Sequence, residues 1–411
     1  MSEPVLRRPR PDDDQVLMAV DSVAFGWTPP EDGVKSAWQH AHAEPYAWCA
    51  ELDGGPVGKT AAFSMETTLP GGTSVRTPGV TSVAVLPTHR RRGLLRTLLT
   101  RQLTEMAAAG EPATVLTASE GSIYGRFGFG VTTLYARAEV TRSEVEFLPT
   151  APTAGVDLEL AELSGVRGDL PGLHEAMRAA TPGMTTRPDL VWNDLVADRE
   201  HDRRGMSKMF TVVARDESGT PVGVVGWRVG SQPAGVPVPA SPVRVEMLIA
   251  ADPAVRMDLW RFVLDLDLTG VVTAYVPPDD PLPWALVNPN AVAVRALSHW
   301  TWTRILDLPA VMEARRYPVD GEIVIGVVDD MFEANNGAWS LEVRDGRARV
   351  VRSREEPAVR AAIDSWASLV MGTVSPPVMA GAGRLSGHAD SVGRLARMLA
   401  WPRAPFNDVM F

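Results

Sequence analysis

Val83-Ala-Val-Leu-Pro-Thr-His-Arg-Arg-Arg-Gly-Leu-Leu-Arg96 decides how this chain is read. An apolar, β-branched run ends at Pro87, which lacks the N–H a strand ladder needs. A basic turn follows and closes on Gly93. Then Leu94, Leu95, Leu98, Leu99, Leu103 and Met106 recur at three-to-four spacing, which predicts a helix over 91–109 with Gly110 as its stop. A strand, a glycine turn and a helix start together make an anion site. The first helical N–H groups have no partner inside the helix, and the macrodipole favours negative charge beside them. Gly93 lets backbone approach a pyrophosphate closely. Arg91, Arg92 and Arg96 can add charge-assisted contacts. Cations at a helix start oppose the dipole, so a merely solvated face would leave these arginines unexplained.

Upstream, the pattern predicts helices over 14–25 and 33–42, strands over 46–52 and 57–69 joined by the Asp53-Gly54-Gly55 turn, and a strand over 77–86. Downstream, 113–119 reads as a strand that the right-handed crossover rule sets parallel to 77–86. Glycines 121, 125, 128 and 130 then turn the chain sharply. Further on, Thr220-Pro-Val-Gly-Val-Val-Gly-Trp227 echoes Gly55-Pro-Val-Gly-Lys-Thr-Ala-Ala62. Residues 243–250 parallel the strand before the basic turn, and 255–268 parallel its helix. Between them stands Asp252-Pro-Ala-Val-Arg256, with no glycine and one arginine. The expectation is one unit present twice, its anion site kept in the first copy only. From about 310 short strands at 322–328, 337–344 and 348–353 alternate with Asn-Gly and Asp-Gly turns, and helices are expected at 357–370 and 390–399. The fold class is α/β (α+β), with mixed central sheets and divisions at 1–145, 146–305 and 306–411.

Composition narrows the function. At 411 residues the chain is too long for one ordinary domain, and 45% apolar with 22% charged residues is a globular balance. No apolar run reaches the roughly 18 residues of a membrane span. Residues 1–15 carry no apolar signal-peptide core. The single Cys49 excludes an internal disulfide and a multi-cysteine zinc site, and no metal is expected. A reducing cytoplasm fits, as would export without a signal peptide. A net charge of −10 argues against nucleic acid and suits cationic substrates. Asp12 to Asp14 reads as a solvated helix start, His89 as an exposed neighbour of the turn, and Cys49 as a buried strand residue.

Arg90-Arg-Arg-Gly93-Leu-Leu95 resembles motif A of the GCN5-related N-acetyltransferase (GNAT) superfamily, Arg/Gln-x-x-Gly-x-Gly/Ala, with leucine at the last, normally small position. Ala118-Ser-Glu-Gly-Ser-Ile-Tyr-Gly-Arg-Phe-Gly-Phe-Gly130 follows at the matching place. Together they resemble the Eis (enhanced intracellular survival) family, and the resemblance spans the whole chain. It implies tandem GNAT-fold domains, the second without cofactor, plus a C-terminal sterol-carrier-protein-like α+β domain. It implies acetyl-CoA as co-substrate and a homohexamer. It also implies that the backbone of Val83, Ala84 and Val85 pairs with the pantetheine arm, that Arg91, Arg92, Gly93, Leu94, Leu95 and Arg96 hold the pyrophosphate, and that Ser119 and Glu120 line the other side of the cleft. Tyr124 takes the place of the general acid, and the terminal carboxylate of Phe411 that of a base or amine-orienting group.

The chemistry is consistent with those roles. An amine attacks a thioester carbonyl, and the departing thiolate needs a proton. A phenol of pKa near 10 stays protonated at neutral pH, and a strand N–H can stabilise the oxyanion. The apolar finish, Pro405 to Phe411, suggests a docked tail. Family members often place an acid just before the final aromatic, whereas this chain has Met410; Phe25, Trp27 and Trp38 supply aromatic bulk near the first helix. Acceptors implied are aminoglycoside-like, polyamine or lysine amines, and the less acidic mouth favours lysine-like or aromatic ones. The competing reading is a non-catalytic lipid-binding or scaffold protein with a vestigial acetyltransferase domain.

Overall fold

The computed structural model describes residues 4–28, 41–52, 54–232 and 240–411. The chain opens with β1 (Val5–Arg7), α1 (Asp14–Phe25), β2 (Trp48–Leu52), β3 (Gly55–Phe63), the hairpin β4 (Glu66–Thr68) and β5 (Ser74–Arg76), and β6 (Gly79–Val85). α2 (Leu94–Ala108), β7 (Ala113–Thr117), α3 (Gly121–Tyr124), β8 (Phe129–Val131) and β9 (Leu134–Thr141) follow. A second run holds β10 (Asp157–Ala161), α4 (Leu170–Ala180), α5 (Asp189–Ala197), β11 (Phe210–Arg215), β12 (Pro221–Val229), β13 (Ser241–Ala250), α6 (Pro253–Leu264), β14 (Thr269–Val276), β15 (Val292–His299) and β16 (Thr301–Ile305). The last run is α7 (Leu308–Ala314), β17 (Gly321–Val328), β18 (Gly337–Arg344), β19 (Arg347–Arg352), β20 (Val359–Ala362), α8 (Ile363–Met371), α9 (Pro376–Gly381), β21 (Leu385–Gly387) and α10 (Ala389–Leu399).

Two seven-stranded sheets repeat one plan. Their orders are β1-β2-β3-β6-β7-β16-β8 and β10-β11-β12-β13-β14-β9-β15. Each holds one parallel pair at its centre, β6 with β7 and β13 with β14, bridged by α2 and α6 respectively. The echo between 55–62 and 220–227 is therefore structural: β3 and β12 hold equivalent places. The sheets also exchange a strand. β9 lies in the second sheet and β16 in the first, so cutting the chain at 145 and 305 assigns each to the sheet it does not join. The two crossings run side by side. Thr133 and Thr301 hydroxyls meet at 2.6 Å, and Trp300 N donates to Thr133 O at 2.9 Å. Strand periodicity fixes which face of a strand is buried but not which sheet receives it, so sequence alone could not reveal the exchange.

α2 forms where expected, beginning at Leu94 rather than 91. Leu94, Leu98, Leu99, Leu103 and Met106 are all buried against the first sheet. Burying side chains of this kind contributes about 1.5–3 kcal/mol each. α1 matches its expected span of 14–25, and its Gly26 C-cap is left-handed. Most of the expected helix at 33–42 lies outside the described residues, and Ala41–Ala43 is a single 3-10 turn. The expected strand 57–69 is interrupted after Phe63, and its end pairs separately with β5. Asp13 departs from the solvated-start expectation. It is buried, accepts from Arg10 N at 2.7 Å and is clamped by Arg7.

In the third domain the sheet order is β19-β18-β17-β20-β21. The expected helix 357–370 divides there, because Val359–Ala362 pairs in parallel with β17 before α8 starts. Two alternately buried residues and a free edge outweigh the helix propensity of alanine and arginine. Side chains including Trp366, Leu341, Ile325 and Leu395 fill the domain's interior. It packs on the far edge of the first sheet. Gly130 faces the Asp364 carbonyl so closely that a Cβ would lie 1.8 Å away, and buried Arg304 meets Asp329 at 2.6 Å. Among the described residues, no helix is long and apolar enough to cross a membrane.

Candidate active site

β6 and β7 pair only at Gly79↔Val115 and Val80↔Leu116, then diverge. On its other side β6 stays paired with β3, but the register slips between Lys59 and Ala61, and Ser82 takes φ +51°. This bulge bends the strand away from β7 and opens a fork. Val83, Ala84 and Val85 lie on its rim, joined to β3 through Ala84↔Lys59 and Val85↔Gly58, with no strand among the described residues on the fork side. Thr60, at the slip, donates to Gln102 Oε1 at 2.9 Å, and Gln102 Nε2 donates to Tyr46 O at 2.9 Å. The bulge is thus pinned to α2 by a satisfied buried amide.

The fork leads to the basic turn. Arg91 (φ +62°) and Gly93 (φ +80°) both adopt left-handed conformations, and a Cβ on Gly93 would meet nothing within 4 Å. Gly93 is the N-cap of α2 and provides no side-chain cap. The first intrahelical bond is Thr97 N to Gly93 O at 3.0 Å. The N–H groups of Leu94, Leu95 and Arg96 therefore have no helical acceptor. Arg91, Arg92, Gly93 and Arg96 are exposed, Leu94 is buried in the core and Leu95 is half-buried. An open cradle of N–H groups ringed by guanidiniums fits a pyrophosphate.

Two groups flank the fork from opposite faces of the sheet. On the α2 face, Tyr124 is buried with Val80, Leu99, Leu116 and Phe129, its ring edge-on to Phe129 at 5.9 Å. Burial, with Glu120 nearby, pushes its phenol up to about 12. On the other face, Phe411 packs with Ala61, Phe63, Met65 and Val115. Thr117 Oγ1 donates to Phe411 O at 3.4 Å. Gly79 gives way to this ring, since a Cβ there would sit 2.8 Å from it.

The tail reaches that position across the second unit. Ala404 N donates to Asp279 at 2.7 Å and Phe406 N to Pro182 O at 2.9 Å. Asn407 Oδ1 accepts from Thr185 N at 3.2 Å. Asp408 lies between His174 Nε2 at 3.0 Å and Arg187 at 3.2 Å. Burial alone would raise the Asp408 carboxyl, but Arg187 and His174 outweigh it and hold the acid below its usual range.

Sequence reading missed one cluster. Lys59 Nζ, fully buried on β3, contacts Asp21 of α1 and lies 2.5 Å from His42 Nε2, with Ser82 Oγ 3.5 Å from Asp21. Burial pushes Lys59 down and Asp21 up, each opposed by its partner. Lysine inside an otherwise apolar strand was the available signal. Of the other residues named from sequence, Ser119 and Glu120 are exposed at the end of β7. Phe25 and Trp27 are exposed at the end of α1, apart from the clusters around Tyr124 and Phe411. Met410 also faces outward, and Trp38 lies outside the described residues.

Comparison with known proteins agrees with this geometry. Residues 6–132 and 183–305 each match an acetyltransferase (GNAT) domain family, and 308–407 match a sterol carrier protein domain family. An uncharacterized N-acetyltransferase of Streptomyces avermitilis is 35% identical over 80% of each chain. The N-acetyltransferase Eis of Mycobacterium tuberculosis is 30% identical over 80% of this chain and 79% of that one. The crystal structure of Eis1 from Mycobacterium abscessus superposes with a TM-score of 0.86 at 27% identity, covering all of both chains.

Proposed function

The chain belongs to the Eis family of GCN5-related N-acetyltransferases, and from that premise we propose that its first unit moves the acetyl group of acetyl-CoA to primary amines of the aminoglycoside, polyamine or lysine type. The observation that carries this reading is the fork itself: an uncapped helix start at one end, with Tyr124 and the Phe411 carboxylate on its two faces. Acetyl-CoA supplies an activated thioester. Arg91, Arg92, Arg96 and the free N–H groups behind Gly93 hold its pyrophosphate, and the unpaired rim of Val83 to Val85 hydrogen-bonds its pantetheine arm. Ser119 and Glu120 border the opposite wall.

Tyr124 holds a proton at the leaving-group side. A phenol pushed up to about 12 stays protonated throughout the neutral range. Full transfer to a thiolate of pKa about 8.5 is uphill from it. Its contribution is therefore a donated hydrogen bond that strengthens as negative charge gathers on sulfur. The Phe411 carboxylate, on the other face, attracts and orients a substrate ammonium and passes its proton to solvent. That role selects cationic acceptors. The exposed, non-acidic Met410 beside Phe411 leaves the mouth less acidic, which favours lysine-like or aromatic amines over polycations.

Thiol release from acetyl-CoA, measured across aminoglycosides, polyamines and lysine peptides, tests the proposal. Release with at least one class is expected, and silence across the panel sinks it. Assembly as a homohexamer is proposed alongside. Tyr275, Trp284, Val294 and Leu297 are exposed apolar groups around the second sheet, available for burial between subunits. Light scattering on the purified protein tests this, and a monomer would refute it.

A further inference from the structure

The second unit has kept the fold and closed its anion site, yet it makes close contacts with the tail that ends at the first unit's fork. Asp408 is the centre of that contact. Its carboxylate receives His174 Nε2 of α4 on one oxygen and Arg187 on the other, and Arg187 also donates to Asp408 O at 3.3 Å. Trp192 of α5 backs both partners: the Arg187 guanidinium lies 4.1 Å over its ring and His174 meets it edge-on at 5.5 Å. Either side of Asp408, Asn407 is tied to Thr185, and Val409 is fully buried. Met410 is then exposed, and Phe411 drops into the site. Only Val409 and Met410 separate Asp408 from Phe411, so while the grip holds, the carboxylate stays within about 10 Å of it.

We infer that the second unit serves the reaction as the dock of the C-terminal tail, with His174 and Arg187 as positioning residues that grip Asp408 and thereby set the Phe411 carboxylate at the fork. A tail held only by apolar contacts could slide or rotate. A carboxylate gripped by two donors from different directions fixes register as well as affinity. This inference rests on the role given above to the Phe411 carboxylate.

The test uses the full chain and the isosteric Asp408→Asn variant, which preserves shape and removes charge. Turnover is expected to fall about tenfold or more, with acetyl-CoA affinity within about twofold of wild type, since the grip is remote from the pyrophosphate turn. Asp408→Glu should recover a large part of the loss by restoring the carboxylate. The Arg187→Met/Asp408→Asn double variant should be no worse than the more damaging single, because both changes break one grip. A purely structural role would instead lower the melting temperature while leaving turnover per folded molecule unchanged. Wild-type turnover in Asp408→Asn, or strictly additive losses in the double variant, overturns the inference, provided that deleting Phe411 still collapses turnover. If deleting Phe411 changes nothing, the carboxylate's role falls and the inference with it.

Discussion

The two sheet units of this protein differ most over a few residues. In the first, α2 follows Gly93 with no side-chain cap and, among the described residues, no helical acceptor for its first three N–H groups. In the second, α6 starts at Asp252-Pro253. The Asp252 side chain accepts from Ala254 N at 2.7 Å, and Pro253 has no N–H to offer. Arg256, the one arginine left near that turn, is engaged by Asp280. Both units keep the strand bulge. Where the first has Ser82, the second has Glu246, paired with Arg228 and Arg244. Beside the closed turn, a recess of about 80 Å³ is walled by Ala250, Pro253, Arg256 and the tail residues Arg403 and Phe406. A helix start with one donor capped and another replaced by proline has fewer left for an anion. The second copy keeps the packing of the unit but not its open turn.

Making the first turn resemble the second is the most severe challenge to this comparison. The Gly93→Asp/Leu94→Pro variant should weaken acetyl-CoA binding about a hundredfold or more, since losing two charge-assisted hydrogen bonds costs roughly 3–6 kcal/mol. Calorimetric titration checks it, and near-normal affinity would show that the free N–H groups are not the determinant. Tyr124→Phe leaves the turn untouched and should reduce turnover about a hundredfold with acetyl-CoA affinity unchanged. Steady-state rates set against binding would expose an error if both moved together. Gly79→Ala pushes a methyl group against the Phe411 ring and Met65, and about a tenfold drop in turnover is expected.

The pH response should be smaller still. Asp408 titrates below its unfolded value near 3.9, so its contribution to stability is complete above that pH and is lost only as pH falls through the lower, folded value. This group therefore adds no slope to melting temperature between pH 5 and 8. An Asp408→Asn variant that loses stability in acid as steeply as the wild type contradicts the assignment. The reverse exchange, Asp252→Gly/Pro253→Leu, should give no measurable acetyl-CoA binding to the second unit, because the tail residues Arg403 and Phe406 still wall the recess beside its turn. A second binding event in titration would mean that capping alone silenced it.

Much of this arrangement could be read in the residues. The leucines of α2, the Arg/Gly turn and its Asp-Pro counterpart are local patterns, and local patterns survive in sequence. The divided helix at 357–370 was misread because Val359 to Ala362 suits either state until a strand edge is available. Asp13 reads as solvated and Lys59 goes unplaced because a charge records its partner nowhere in its own neighbourhood. Arg7 and Asp21 reach them from other elements.

The sequence by itself determined that the chain holds one α/β unit twice, that one copy keeps an Arg/Gly turn before its helix where the other has Asp-Pro, and that residues 405–411 are apolar and aromatic. Those facts depend on hydrogen-bond donors and side-chain periodicity within short windows. Tertiary structure alone decided which sheet takes β9 and which takes β16, that Tyr124 and Phe411 face the fork from opposite sides, and that the second copy grips the tail. These relations join residues up to 294 positions apart, as between Thr117 and Phe411. Only the packed chain brings such residues within hydrogen-bonding distance.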